Sequence, residues 1–465
     1  MRNMRHPGIW WIPSAPEQHV AGVLRESPTG RLTLTVTGSL TGETPATRYR
    51  ILPIILGSGR KERRITLDGC YLRRSSHASA TPSLITETLD IDRAFLGAQF
   101  ENPSDLAFSS AYLSYPHLEE WARGSDWLRQ TDIPLADYAA PEFTINRPRA
   151  ASLRADAPWG TLELWANVAW GGDLHSTVQL KRQMWFFVTL NEAAGLERWQ
   201  TFIIRPLANF LSLATGAASN PAGITVLGQQ PGEEHLWTVK VRDSRFPAMT
   251  QPMLPRRAPW VGHMPLPLRE FADRFGDVLT RWIDLHQQMT LVLDVFFSAH
   301  NARKGYVEQQ FFSIVQALEA YHRLRVHRHE ILEGEHQLRI EAILGACPEE
   351  HREWLREQLR YSNEVRLRRR LRELLAASPM TRYIAPDRKR AIQEIVRYRN
   401  TIAHGDGDTY PTIGGSYGLL HLTAVVSLLM QERLLCELGF PQERAASLLD
   451  STREYGYAMR ESGEG

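Results

Sequence analysis

The residues with the clearest capacity for chemistry lie together at Arg399-Asn400-Thr401-Ile402-Ala403-His404. RNA cleavage by attack of a ribose 2′-OH on its own phosphate needs a base for that proton, an acid for the leaving 5′-oxygen, and positive charge on the phosphorane-like transition state. An arginine and a histidine supply these groups, and no metal is required because the nucleophile is already in the substrate. On a helix covering 388–403, Ile392, Ile395, Val396 and Ala403 share one stripe, and Arg399 is expected in its middle. A guanidinium stays charged at any accessible pH, so an arginine on an apolar stripe must either pair internally or face a lined cleft.

Asn400 and His404 are neighbours at four residues' spacing, whereas Arg399 and His404 are five apart and diverge by about 140° on an ideal helix. Gly405-Asp406-Gly407-Asp408 is a strong stop, so His404 is expected in a frayed last turn where its ring can swing back toward the arginine. A helix C-terminus also favours the protonated imidazole that donates a proton. One histidine per motif suggests two chains meeting around one phosphate, and dimerisation is expected. The plainer alternative is a helix end whose arginine pairs structurally and whose His-Gly step is only a cap.

The surroundings are basic. Net charge over the whole chain is only +2, but residues 361–404 hold eleven Lys and Arg against Glu364, Glu373, Asp387 and Glu394. Such an excess would attract a polyanion through counterion release, and Arg366, Arg369, Arg370 and Arg397 are candidate RNA contacts. The arginine run 366–372 could equally be a solvated helix face. Glu319, at the edge of the stripe Phe311, Ile314, Val315, Leu318 and His322, is a possible partner of Arg399. His327 and His329, with His322 nearby, lack a Cys or carboxylate cluster and read as exposed histidines, so no metal site is expected.

Two kinds of element must position these residues. Up to about residue 255 the chain reads as short strands broken by Gly, Pro and Ser: Arg31–Thr37 alternates polar and apolar, and Ile65–Asp68, Thr161–Trp170 and Trp185–Leu190 are β-branched or aromatic. Helices are expected at Leu118–Ala122 and Trp199–Leu213, the second troubled by Pro206. Trp10, Trp11, Trp165 and Trp170 read as packing residues before ligand-stacking ones. Five prolines between Gln251 and Pro267 mark a boundary, giving a β-rich domain over 1–255 and an all-helical one over 256–465. Helices are expected at Phe271–Phe297, Gln309–Arg325, Gln337–Leu344, His351–Leu359, Leu367–Ala376, Arg388–Ile402 and Tyr417–Leu438.

With 43% hydrophobic and 23% charged residues over 465 positions, the composition excludes a disordered or fibrous chain. Cys70, Cys347 and Cys436 are far apart, and neither a disulfide framework nor a cysteine zinc site is indicated. The apolar run Gly8–Ile12 is too short for a secretory segment and Leu422–Met430 too short to span a bilayer, so a cytoplasmic protein without membrane partners is expected.

An Arg-Asn-x-x-x-His set at a helix end, behind a helix carrying Phe311–Glu319 and ahead of a final hydrophobic helix, resembles the HEPN ribonucleases. Gly8-Ile-Trp-Trp-Ile-Pro13, Val20-Ala-Gly22 and Leu32–Gly38 resemble the N-terminal domain of the ApeA anti-phage proteins, so the likeness spans nearly the whole chain. The resemblance implies an α+β protein with a β-rich sensor domain before an all-α HEPN bundle. It also implies Arg399 and His404 as catalytic residues with Asn400 as polar support, and abortive-infection defence in which infection switches on RNA cleavage, of tRNA among other candidates. A phage-derived trigger and a homodimer or higher assembly through the HEPN domain follow, and no cofactor. The rival reading is a non-catalytic ligand-binding and dimerisation protein.

Overall fold

The structure, a computed structural model, describes residues 4–28, 30–40, 51–60, 62–77, 85–123, 151–171, 179–229, 236–244, 260–302, 305–405 and 415–462. It divides into two compact units, the first running essentially to Ile283 and the second from Asp284 to the C-terminus. The expected change of texture near residue 255 lies outside the described residues. The first unit extends past it because Phe271 and Trp282 are fully buried there: Phe271 packs on Trp121 and Phe210, and the Trp282 Nε1 donates to the Pro206 carbonyl at 2.7 Å.

The first unit is built from β1 (Met4–Trp11), β2 (Val20–Glu26), β3 (Leu32–Thr37), β4 (Ile51–Gly59), β5 (Ile65–His77), β6 (Ile85–Leu96), β7 (Ala107–Ser114), β8 (Ala151–Ala157), β9 (Gly160–Gly171), β10 (Gln179–Gly195), β11 (Gly223–Gln229) and β12 (Leu236–Asp243). The first six close on themselves in the order β1-β2-β3-β6-β5-β4, with β4 returning to β1, all antiparallel. Closure removes the open edges that a six-stranded sheet would otherwise present. The alternation read from the sequence decides what fills this barrel. Leu32, Leu34 and Val36 of β3 are buried, and they meet Trp10, Leu24, Ile55, Leu67, Leu89 and Ile91 inside. Trp10 is core, as expected, and it dictates a glycine opposite: a Cβ on Gly57 would lie 2.3 Å from the Trp10 ring.

Strand β6 serves two sheets. Its first half, Thr86–Ile91, pairs with β3, and its second half, Arg93–Leu96, pairs with β12, opening an outer sheet ordered β12-β11-β7-β10-β9-β8. Arg93, where the strand changes partners, is held by Asp68 (3.0 Å), Glu197 (3.1 Å) and Asp243 (3.4 Å). The helices α1 (Leu118–Trp121), α2 (Leu196–Trp199) and α3 (Arg205–Thr215) accompany these strands. Pro206 does not break the second of the expected helices, because the turn Gln200–Ile204 just before it widens to π geometry and relieves the clash that a proline brings to an α-helix.

The second unit is helical: α4 (Phe275–Gln288) leads into it, followed by α5 (Thr290–His300), α6 (Val307–Arg325), α7 (Glu333–Ala346), α8 (Glu349–Leu359), α9 (Leu367–Ala377), α10 (Thr381–Ile384), α11 (Arg388–His404), α12 (Gly415–Glu437), α13 (Gln442–Asp450) and α14 (Arg453–Ser462). The single helix expected over 271–297 is two, because the backbone leaves helical geometry at Met289 (φ −131°, ψ 31°) and Thr290 caps back onto the His286 carbonyl at 2.7 Å. Helix α6 is the hub, packing on α5, α9, α11 and α12 through Phe311, Ile314, Val315 and Leu318. Residues Gly418–Glu437 are long and apolar enough to cross a membrane by composition, but 78% of that stretch is buried, which makes α12 the core helix the sequence suggested.

Candidate active site

Helix α11 carries the motif. Asp387 opens it, its carboxylate accepting from the Arg390 N–H at 2.9 Å, and Gly405 closes it at φ 68°, a left-handed cap that glycine adopts without strain. The residues Asp406–Asp408 lie outside the described set. The buried stripe of α11 is Ile392, Ile395, Tyr398 and Thr401. This corrects the register read from the sequence: Tyr398, packed edge-on against Phe311 of α6, takes the centre, Arg399 is at the stripe's edge with 29% of its side chain exposed, and Ala403 is exposed. A tyrosine ring and a threonine methyl bury as well as aliphatics do, and a pattern read from aliphatic residues alone missed them.

At that edge Arg399 meets Glu319 of α6, Nη2 to Oε2 at 3.7 Å, and donates from Nη1 to Asn400 Oδ1 at 3.3 Å. Its Nε is shielded from solvent and makes no hydrogen bond among the described residues. Glu319 is shared, with Arg323 Nη2 3.9 Å from its other oxygen, and Arg323 in turn donates to Glu364 at 2.9 Å. The arginine is therefore oriented by Glu319 and Asn400 while part of its side chain stays open to solvent. His404 is exposed and remains the last residue of a regular α11, so the expected fraying is not seen. Five residues of regular helix separate the directions of Arg399 and His404 by about 140°.

The candidate RNA-contacting arginines divide. Arg366 and Arg397 are exposed, the latter 3.9 Å from Glu394. Arg369 is half-buried and paired with Glu373 (3.0 Å) and Glu330. Arg370 is a correction: it is fully buried, on the same face of α9 as Leu371, Leu374 and Leu375, and offers nothing to the surface. Its Nε donates to the Val365 carbonyl (2.9 Å), and its Nη1 donates to His322 Nδ1 (3.0 Å) and the His327 carbonyl (3.3 Å). Burial and the neighbouring Arg323 pull its pKa down.

This arginine also decides a question raised by three converging ligand-type groups. His322, His327 and Glu373 bring their donor atoms within 4.8 Å of one another, and both histidines are 2.8 Å from Glu373 through Nε2. His322 is buried, as its place on the α6 stripe implies, and His327 is half-buried. A metal would need the Nε2 lone pair of His322. An arginine can only donate, however, so Nδ1 is the acceptor and Nε2 carries the proton that goes to Glu373. Burial pushes the His322 imidazole down against the pull of Glu373, in keeping with a neutral ring. Burial pushes the Glu373 carboxyl up, but hydrogen bonds from Arg369, His322 and His327 outweigh it and hold the group at about 2. The cluster ties the end of α6 to α9 as an ion-pair and hydrogen-bond network. Glu373, counted from the sequence only as a neutraliser of the arginine run, is its centre; its spacing of four from Arg369 was the available sign.

A barrel-bearing β domain followed by a helical bundle with an Arg-Asn-x-x-x-His helix defines a class of protein that joins a β-rich domain to a HEPN domain. Family comparison gives the same division: the ApeA N-terminal domain 1 matches residues 5–282, and the Apea-like HEPN domain matches residues 312–444. The chain belongs to the ApeA family, whose HEPN domain points to nuclease-type anti-phage defence. No curated protein and no solved structure is matched by the chain.

Proposed function

We propose that this chain is an endoribonuclease that cuts RNA without a metal ion and acts in abortive infection. The observation that carries the reading is Arg399, placed at the edge of a buried stripe, oriented by Glu319 and Asn400, with 29% of its side chain still open to solvent. A phosphate oxygen is the acceptor that a pre-oriented, partly exposed guanidinium suits. In the reaction the ribose 2′-oxygen attacks phosphorus and the bond to the 5′-oxygen breaks, leaving a 2′,3′-cyclic phosphate and a 5′-OH. Arg399 stabilises the phosphorane charge, and His404, exposed at the helix end, exchanges the proton. Because Arg399 and His404 diverge within one helix, a second copy supplies the facing set, which makes the homodimer the working unit. The exposed Arg366 and Arg397 attract the RNA, with tRNA a candidate substrate, in the cytoplasm. The β-rich unit senses a phage-derived trigger, and its response releases the nuclease.

The test is incubation of wild type and His404→Ala with total cellular RNA in EDTA, with and without phage lysate, followed by end-group analysis. Cleavage by wild type alone, leaving 2′,3′-cyclic phosphate ends, is the expected result. Equal silence from both proteins in every condition would instead favour a non-catalytic ligand-binding and dimerisation protein.

A further inference from the structure

Helices α7 and α8 form a hairpin that belongs to the helical unit but hardly shares its core. His336 is buried in α7 and no residue is buried in α8. The base is pinned: His336 lies 3.3 Å from the Ser362 hydroxyl, and Asn363 brackets Ile331, accepting from its N–H and donating to its carbonyl, both at 3.1 Å. Beyond the base, the seam between the helices consists of Ile340, Leu344, Leu355 and Leu359, each only half-buried, and Leu338 (69%) and Trp354 (62%) face outward. At 1.5 Å per residue, the fourteen residues of α7 make an arm about 20 Å long. A two-helix seam left this open does not hold its helices by itself, because short helices depend on packing for most of their stability.

The charge on this arm has a counterpart on the same chain. Residues 333–360 carry seven Glu against four Arg, whereas residues 361–404 carry eleven Lys and Arg against four acidic residues. On the second segment Arg372, Arg388, Lys389, Arg390 and Arg397 are exposed. Two complementary surfaces therefore stand open on one chain without covering each other. Surfaces of this kind meet when a second copy brings its own pair, and in a two-fold dimer the contact is made twice.

We propose that the α7–α8 hairpin is an acidic docking arm that lies on the basic α9–α11 surface of a second copy of this chain, with Leu338 and Trp354 as its apolar anchors. The occupant is the chain itself, because the opposite charge and the exposed aromatic anchor are both present on it. This goes beyond the nuclease reading by assigning the dimer contact to residues outside the motif.

The experiment is reciprocal charge exchange in the full-length protein, read as molar mass by sedimentation equilibrium. One variant carries Glu341→Lys, Glu353→Lys and Glu357→Lys on the arm; the other carries Arg388→Glu, Lys389→Glu and Arg390→Glu on the basic surface. All six residues are exposed, and circular dichroism checks that each variant keeps its helices. Each variant alone should dimerise about tenfold or more weakly than wild type, and an equimolar mixture should regain dimers, since both contacts in the mixed pair are again complementary. Trp354→Ala should weaken the dimer without altering its salt dependence. Variants as dimeric as wild type, a mixture that recovers nothing, a wild type that is monomeric, or an arm that binds a different protein while dimerisation is untouched would each overturn the proposal. Because the readout is mass and not RNA cleavage, its failure is distinguishable from failure of the nuclease reading.

Discussion

Replacing Glu373 with glutamine tests whether the His322–His327–Arg369–Arg370 cluster stabilises the helical unit through charge. A carboxyl held at about 2 instead of its ordinary 4.5 corresponds to about 3 kcal/mol of preference for the folded anion if nothing screened it. Its side chain is 32% exposed, and solvent screening reduces this to about 1–2 kcal/mol. The sign follows from the direction: a carboxyl whose pKa is depressed on folding contributes fully above pH 5 and loses that contribution as pH falls toward 2. Glu373→Gln should therefore lower stability by about 1–2 kcal/mol at pH 7, and more than half of that penalty should vanish at pH 3, where the unfolded wild-type carboxyl is already protonated. Urea unfolding followed by helical circular dichroism at both pH values measures the difference, with His322 common to the two proteins. A penalty of the same size at pH 3 as at pH 7 would refute the reasoning, since the cost would then come from hydrogen-bond geometry and not from a stabilised charge.

Glu319→Gln should leave RNA binding nearly unchanged while lowering the cleavage rate about tenfold, and Glu319→Asp should recover part of it, because the residue orients Arg399 instead of touching substrate; single-turnover kinetics against RNA concentration separates the two effects. Phe311→Ala should cost about 3–5 kcal/mol by opening a cavity under Tyr398 and loosening α11 on α6, read as a lower thermal midpoint of the helical unit with the β unit unaffected. Gly57→Ala should destabilise the barrel by about 1–3 kcal/mol, since the new methyl group meets the Trp10 ring, and the change should appear in the β-sheet signal first.

Much of the architecture was legible along the chain because the periods of its elements are local. The alternation in β3 put Leu32, Leu34 and Val36 inside with no knowledge of their neighbours, and α6, α9, α11 and α12 ended within a few residues of the positions read for them. Gly405 ended α11 as its type suggested, although the helix stayed regular through His404. What the sequence by itself determined is thus which residues belong to which element, and that an arginine and a histidine would share one helix end. Tertiary structure alone decided their partners. Barrel closure rests on β3 pairing with β6, strands about fifty residues apart that carry no mark of one another. Five arginines in a run of seven looked alike, yet Arg370 is buried against His322 while Arg366 and Arg372 face solvent, because the face that α6 covers is set by packing across helices. The meeting of Glu319 with Arg399 is of the same kind: a side-chain period fixes the direction in which a residue points, and only the fold determines what it points at.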